Sequence, residues 1–592
     1  MTNCQYLKNQ TDSHKLSLHR WLQSIALGAI TVAATVMPVK AQTPQTPQTL
    51  YFIYPPLKES LRVESLDMFA QEGTVNKNLG FYFNLLGTSE EARIKFREVL
   101  NKPVPIDPLV VSRFFNSQIG EAILTRAGNV IQIEGGSNGK YALRGAMVAA
   151  AFDEEGLSLI NFFRKLPTNM QFDLSESQKI AKMTEIVVKA TKVFSEEVIP
   201  NLSATEAEAA KPVDFANLPD LRQRGNYGVE QKRWILTDSD RNRRFYVDVY
   251  RPQQWRGEET PVLVMSHGLG SKPEYFAEDA QYLASHGYVV AQPQHIGSDE
   301  RQQQALFQGL SREVFLVDEF INRPLDISYV IDELERRNLE DFDGRLALDK
   351  VGVFGHSFGG YTALAVAGAT IDFENLEQEC GRSLVRTNTA LLLQCRALEL
   401  DRQDYNFRDE RVVAVIGHNP VNRSIFGPKG LSKIQIPVFM GAGSYDPATP
   451  FIFEQLASFT WLTTPNKYLV LQQGQAHVDV SALDSGMSEV IESIDELTLP
   501  EPKLQQEIGN AATLAFLEVY VANNEDYLPY MQSSYLEYLS EGQKFKTYLI
   551  SGASSEKLVE AIEQFHLEEG IDKLSRQIER ENERLEREED MK

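Results

Sequence analysis

Val351-Gly352-Val353-Phe354-Gly355-His356-Ser357-Phe358-Gly359-Gly360 runs an apolar strand into the pattern G-x-S-x-G and on into a small-residue helical segment, Tyr361–Ala367. The pentad alone is a weak signal, because glycine and serine are common. A strand before it and a helix after it make it specific. A serine at so sharp a turn is held at strained backbone angles, and glycines at 355 and 359 let neighbouring backbone pass where a Cβ would clash. Its hydroxyl then stands above the sheet, and the first amides of the following helix face the place where negative charge would develop. Ser357 is therefore the candidate nucleophile. The plainer alternative is a structural glycine-rich turn, and the rest of the chain decides between the two.

A serine nucleophile needs a base within hydrogen-bond reach and a group that orients the base. In sheets of this kind these follow in the chain order Ser, Asp or Glu, His. The order is met here. After the apolar run Pro437–Met440 comes Gly441-Ala442-Gly443-Ser444-Tyr445-Asp446, and after Tyr468–Leu471 comes Gly474-Gln475-Ala476-His477. Both residues lie on loops that leave the carboxyl ends of strands, where ligand sites of open α/β sheets form. Asp446 is the candidate acid, with Asp479 as the alternative, and His477 the candidate base. His418 follows another strand but precedes Asp446, the wrong order for a base. His267 and His356 are read as supporting side chains near the sheet top. The run Val264-Met265-Ser266-His267-Gly268-Leu269-Gly270 ends a strand in an HG-type turn, so the backbone N–H of Leu269 can pair with that of Phe358 as an oxyanion hole. Loss of one such donor typically costs about 3 kcal/mol of transition-state stabilisation.

Working outward, short apolar runs at 262–265, 288–291, 351–354, 412–416, 438–440 and 468–471 alternate with longer amphipathic stretches. Buried parallel strands separated by helices read this way. The expected fold class is α/β: a mostly parallel central sheet with helices on both faces over residues 226–540. A cap insertion is expected at 371–410, where Thr389–Gln394 supplies an apolar helical piece. Residues 50–200 begin with extended segments and then show helical periodicity around 90–100 and 175–198, which predicts a mainly helical N-terminal domain. The small, polar stretch Ser203–Pro212 is read as part of an interdomain linker over 201–225. From 541 apolar residues thin out, and 541–592 is read as a helical, charged C-terminal extension.

The chain has 592 residues, 42% hydrophobic and 24% charged, which suits a large core with appended modules. Its formal net charge of −23 argues against nucleic-acid partners. The N-terminus reads as an address. Lys8, Lys15 and Arg20 precede a charge-free run from Ile25 to Met37, and Val39-Lys40-Ala41 precedes a Gln/Thr/Pro linker at 42–49. Residues 1–41 are thus read as a signal peptide, giving an exported mature chain with no membrane span. An uncleaved anchor is the other reading of the charge-free stretch Trp21–Val39. Cys4 would leave with the signal, and Cys380 and Cys395 would then be the cysteines of the mature chain. In an exported protein two cysteines are better read as a disulfide than as metal ligands. Closing that loop contributes about 3 kcal/mol in the chain-entropy description.

His267-Gly268-Leu269-Gly270 together with Gly355-His356-Ser357-Phe358-Gly359-Gly360 resembles the platelet-activating-factor acetylhydrolase and dienelactone hydrolase branch of the α/β-hydrolase fold, over residues 226–540. The N-terminal region resembles an uncharacterised domain that precedes such hydrolases in predicted exported bacterial proteins. The resemblance implies a catalytic triad, an oxyanion hole of two backbone amides and no cofactor or metal, carried onto Ser357, Asp446, His477, Leu269 and Phe358. There is one departure. Acetylhydrolases place the acid one strand earlier, where this chain reads Gly417-His418-Asn419-Pro420 without a carboxylate. The position of Asp446 is similar to that in dienelactone hydrolases. The expected activity is hydrolysis of small or lipid-like carboxylic esters. A catalytically silent binding module and a peptidase of the same fold are the alternatives, and the helical reading of 50–200 speaks against the propeller that such peptidases carry.

Overall fold

Strand Thr260–Ser266 decides the layering, because its side chains alternate between two cores. Val262 and Val264 face one buried cluster, Leu263 and Met265 the other. The computed structural model describes residues 48–54, 57–381, 387–477 and 500–571. The expected signal peptide, Asp479 and the acidic end of the chain lie outside the described residues.

Four short strands belong to the N-terminal part: β1 (Thr49–Tyr54), β2 (Leu57–Arg62), β3 (Ile131–Ile133) and β4 (Met170–Asp173). They form a sheet of order β2-β1-β4-β3, surrounded by helices between 63 and 164. A core of its own, including Leu66, Phe69, Leu100, Ala146 and Met170, fills this part. The helical reading of this region is met, with a small sheet added.

The central sheet has nine strands: β5 (Val229–Asp238), β6 (Arg243–Pro252), β7 (Thr260–Ser266), β8 (Val289–Pro293), β9 (Leu346–His356), β10 (Val412–His418), β11 (Val438–Gly443), β12 (Lys467–Gln472) and β13 (Thr547–Ser551). Their spatial order is β13-β12-β11-β10-β9-β7-β8-β6-β5. Neighbours from β8 to β12 are parallel, whereas β5, β6 and β13 join antiparallel at the edges. Helices Glu319–Phe342 and Phe358–Val366 cover one face, and helices Ala277–Ser285, Pro502–Tyr520 and Ser533–Leu539 the other. This is the α/β-hydrolase fold. After β7 the chain builds β8 on one side and then returns to place β9 on the other, so strand order reverses at the β7/β9 pair. Ligand sites form at such a reversal, outside the carboxyl ends of the strands.

Two segments differ from their sequence reading. Residues 201–209 of the stretch read as a linker belong to helix Ile199–Ala209, and its Glu206 accepts hydrogen bonds from the Ser551 N–H at 3.0 Å and the Ser533 hydroxyl at 3.3 Å. Residues 547–551, within the segment read as a helical extension, form edge strand β13, and helix Ser555–Glu569 buries Leu558 and Phe565 in the main core. Both readings rested on sparse apolar residues. Each segment needs only one face buried, so a few apolar side chains suffice.

Candidate active site

The turn from β9 into helix Phe358–Val366 takes the strained form that the sequence predicts. Ser357 sits at φ 57° and ψ −117°, a region unfavourable for any residue with a Cβ. The surrounding backbone enforces it. A Cβ on Gly355 would collide with the Gly359 carbonyl, and one on Gly359 with the Ser266 carbonyl. The Ser357 N–H donates to the His418 carbonyl at 3.0 Å, and the Ser357 carbonyl accepts from Val421 at 3.1 Å, so the turn is tied to the end of β10.

Three loops bring Ser357, His477 and Asp446 together. The Ser357 hydroxyl lies 2.8 Å from Nε2 of His477, and Nδ1 of His477 lies 2.7 Å from Oδ2 of Asp446. Asp446 is 5% exposed. Its Oδ1 accepts from the N–H groups of Ala448 and Thr449 at 2.8 and 2.9 Å, and its Oδ2 also accepts from the Thr449 hydroxyl at 2.7 Å. Burial pushes this carboxyl up. The hydrogen bond and charge of His477 and the Thr449 donors outweigh burial and hold it below the ordinary aspartate value. A hydroxyl bonded to an imidazole whose far nitrogen meets a carboxylate can pass its proton to the ring as it attacks an electrophile. Thr449 was not singled out from the sequence, although Asp446-Pro447-Ala448-Thr449 carries the local signal of an Asx turn.

Of the other histidines, His356 is buried, and its Nε2 donates to the His477 carbonyl at 2.9 Å, anchoring the loop that presents the imidazole. Burial holds His356 and His418 below the ordinary histidine range. Asn419, in the loop where acetylhydrolases carry their acid, has φ 44°, and its Oδ1 accepts from the Gly443 N–H at 2.9 Å.

The Ser266–Gly270 turn lies beside Ser357, because Ser266 of β7 pairs with Gly355 of β9. A Cβ on Gly268 would stand 3.3 Å from that of Ser357. Phe358 heads its helix, so its N–H has no acceptor one turn back, and its side chain is buried. Below this turn the Ser266 hydroxyl meets His295 Nε2 at 2.9 Å, and His295 Nδ1 meets Asp326 at 3.0 Å. This second Ser-His-Asp arrangement is enclosed, with all three residues at most 1% exposed. It is joined by Arg243, which donates to Asp326 at 3.0 and 2.7 Å and to Glu319 at 2.7 Å. Burial pushes the Glu319 and Asp326 carboxyls up, against the pull of Arg243. Nothing in the sequence reading pointed to this cluster, since only Glu319 and Asp326 share an element and the other members come from distant segments. Among the described residues no group of three or more His, Cys, Asp or Glu side chains is placed to hold a metal ion.

Cys380 and Cys395 form the expected disulfide, with Cα atoms 5.9 Å apart. It ties helix Phe373–Gly381 to the short 3-10 helix Cys395–Glu399. Buried Glu454 holds the same segment, accepting from Asn388 at 2.6 Å, Gln394 at 2.9 Å and the backbone N–H groups of Asn422 and Arg423 at 2.9 and 3.0 Å. The Thr389 hydroxyl donates to the Ala448 carbonyl at 3.0 Å, so residues of the expected cap touch the loop that bears Asp446.

The fold thus defines an α/β hydrolase. Residues 47–173 match the family described as "Alpha/beta hydrolase of unknown function (DUF1400)", and residues 220–379 match the family described as "Chlorophyllase". The first match ends with β4, where the separate N-terminal core ends as well. A platelet-activating factor acetylhydrolase of Cavia porcellus is 26% identical over an alignment covering 20% of this chain and 35% of that protein. The chain therefore spans about a third of the length of this curated relative. Among the described residues no helix is long and apolar enough to cross a membrane.

Proposed function

We propose that this protein is an exported serine esterase that cleaves small or lipid-like carboxylic esters through an acyl-enzyme on Ser357. The observation that carries this reading is the continuous chain of contacts from the Ser357 hydroxyl through His477 to Asp446, at 2.8 and 2.7 Å, beside the β7/β9 strand reversal. The name of the acetylhydrolase relative supports the ester class. The cysteine pairing, the N-terminal charge pattern and the apolar run behind it support export.

In this mechanism Ser357 Oγ attacks the ester carbonyl carbon while its proton passes to Nε2 of His477. The carbonyl electron pair moves onto oxygen, which the N–H groups of Leu269 and Phe358 stabilise. The tetrahedral intermediate collapses, the C–O bond to the alcohol breaks, and Nε2 returns the proton to the leaving oxygen. Water then repeats the sequence on the acyl-enzyme and releases the carboxylic acid. Asp446 orients the ring and stabilises its protonated form without itself taking the proton.

A fluorophosphonate probe tests the reading. It is expected to label the wild type stoichiometrically and to spare Ser357→Ala. Ser357→Ala and His477→Ala should each lower turnover of p-nitrophenyl butyrate by about 10^4-fold or more, and the double variant should lose little beyond either one, because the two residues act as a unit. A folded wild type that neither labels nor turns over would favour a silent binding module.

A further inference from the structure

The turn that carries Leu269 is gripped from below by one side chain that the mechanism above does not use. We propose that Arg323 is a positioning residue that aims the Leu269 and Phe358 amides and thereby sets how strongly the site holds the oxyanion of the tetrahedral intermediate. This inference rests on the esterase reading and deepens it.

Arg323 lies in helix Glu319–Phe342 and is fully buried. Its Nη1 donates to the His267 carbonyl at 2.6 Å, Nη2 to the Gly268 carbonyl at 3.3 Å, and Nε to the Ser298 hydroxyl at 2.8 Å. The peptide group between Gly268 and Leu269 is planar and trans, so its C=O and N–H point in opposite directions. Holding the Gly268 oxygen toward the guanidinium therefore points the Leu269 N–H away from it. A cation at the carbonyl end of a peptide also polarises it, which makes its N–H a better donor.

The same guanidinium packs against the side chain of the second donor residue. Its central carbon lies 4.4 Å from the centroid of the Phe358 ring, the residue whose N–H would complete the hole. One planar group thus contacts the peptide that carries the Leu269 N–H and the side chain of Phe358. The neighbourhood is built to keep it charged. Ser298 passes a hydrogen bond on to Glu319 at 2.8 Å, and Glu319 is shared with Arg243. Burial lowers the Arg323 guanidinium to about 10, which leaves it cationic at neutral pH. The turn has further ties, from the His295 N–H to His267 Nε2 at 3.1 Å and from the Gly270 N–H to the Ser298 carbonyl at 2.8 Å. The Gly268 carbonyl also accepts from His267 Nδ1 at 2.8 Å and from the Ser271 N–H at 3.4 Å, so removing Arg323 would loosen the 268–269 peptide rather than free it.

A thionoester comparison separates this role from a merely structural one. When C=S replaces C=O, the developing anion is larger and a weaker hydrogen-bond acceptor, so it draws less from the amide pair. Arg323→Lys keeps a cation on an aliphatic stem but cannot meet two carbonyls and a hydroxyl with one planar fork. For p-nitrophenyl butyrate its kcat is expected to fall about 100-fold with KM within about threefold of wild type. For the thiono analogue the fall should be about tenfold or less, so the oxo-to-thiono ratio drops by about tenfold. Equal losses on both substrates, or no loss on either, would overturn the proposal. Should Arg323→Lys fail to fold, Ser298→Ala, which removes the Nε acceptor together with the hydroxyl's bonds to Glu319 and the His295 carbonyl but leaves the guanidinium in place, carries the test. Its expected change is a drop of about threefold in the same ratio, and an unchanged ratio would overturn the role of Arg323. Wild-type turnover that survives Ser357→Ala is a distinct result, which brings down the esterase reading and the Arg323 role together.

Discussion

Asp446 shows how a single residue gains its character from neighbours on its own loop and on the loop of His477. It accepts from His477, from two backbone N–H groups and from the Thr449 hydroxyl, all favouring the ionised form. Asp446→Asn is expected to lower kcat by about a thousandfold or more, because the amide offers His477 the wrong partner and tautomer. Asp479→Ala should leave turnover near wild type. The opposite pattern in steady-state kinetics would move the acid to Asp479. Asp446 was legible in the sequence by its place after an apolar strand and before the histidine. Thr449 and Asn419 were less so, because a supporting contact leaves no pattern along the chain.

At the scale of elements, β12 ends the parallel part of the sheet and begins with an unusual residue. Lys467 is 6% exposed, and its ammonium donates to the carbonyls of Phe459 at 2.9 Å and Leu462 at 2.7 Å, beside the Phe459 ring. Burial lowers its pKa from 10.5 to about 8. The folded value then lies below the unfolded one, so between the two the unfolded chain binds more protons, and stability rises with pH over that interval. Urea unfolding of Lys467→Met at several pH values between about 8 and 10 should show this rise flattened, even though the variant is less stable for want of two hydrogen bonds. A slope equal to that of wild type would contradict the linkage. The six core strands were legible as elements because buried parallel strands are continuous apolar runs. Strand β5 was not, since the first half of Val229–Asp238 is largely exposed and reads as polar chain.

For the whole molecule, the division between parts falls differently from the composition of the chain. The separate N-terminal core ends with Met170 in β4, whereas Ala190, Phe194, Ile199 and Leu202 join the main hydrolase core. Phe194 meets Phe565 with ring centroids 5.7 Å apart, and the Ser195 carbonyl accepts from Gln473 at 2.8 Å. Residues on either side of the central sheet sequence therefore close over its β12–β13 edge. A chain cut after residue 540 loses β13 and the Phe565 contact and bares the edge of β12. Such a protein is expected to be insoluble or to unfold at a midpoint well below wild type, by about 3 kcal/mol or more for the exposed Phe, Leu and Ile side chains. A soluble truncated form with unchanged stability in urea would show that this edge contributes nothing.

What the sequence by itself determined is local or ordinal: a serine between two glycines at a strand-to-helix turn, an acid and a histidine following in order, the apolar runs, and a cysteine pair 15 residues apart. Each of these is set by neighbours in the chain or by strand order, which backbone sterics and burial periodicity make readable. The tertiary structure alone decided the rest. That Arg323 grips the Gly268 carbonyl 55 residues away, that Ser266, His295 and Asp326 form an enclosed relay, and that residues 547–551 complete the sheet all depend on contacts between distant segments. Such contacts form because a buried charge or donor must find a partner wherever the fold places one, and the chain carries no spacing that announces where.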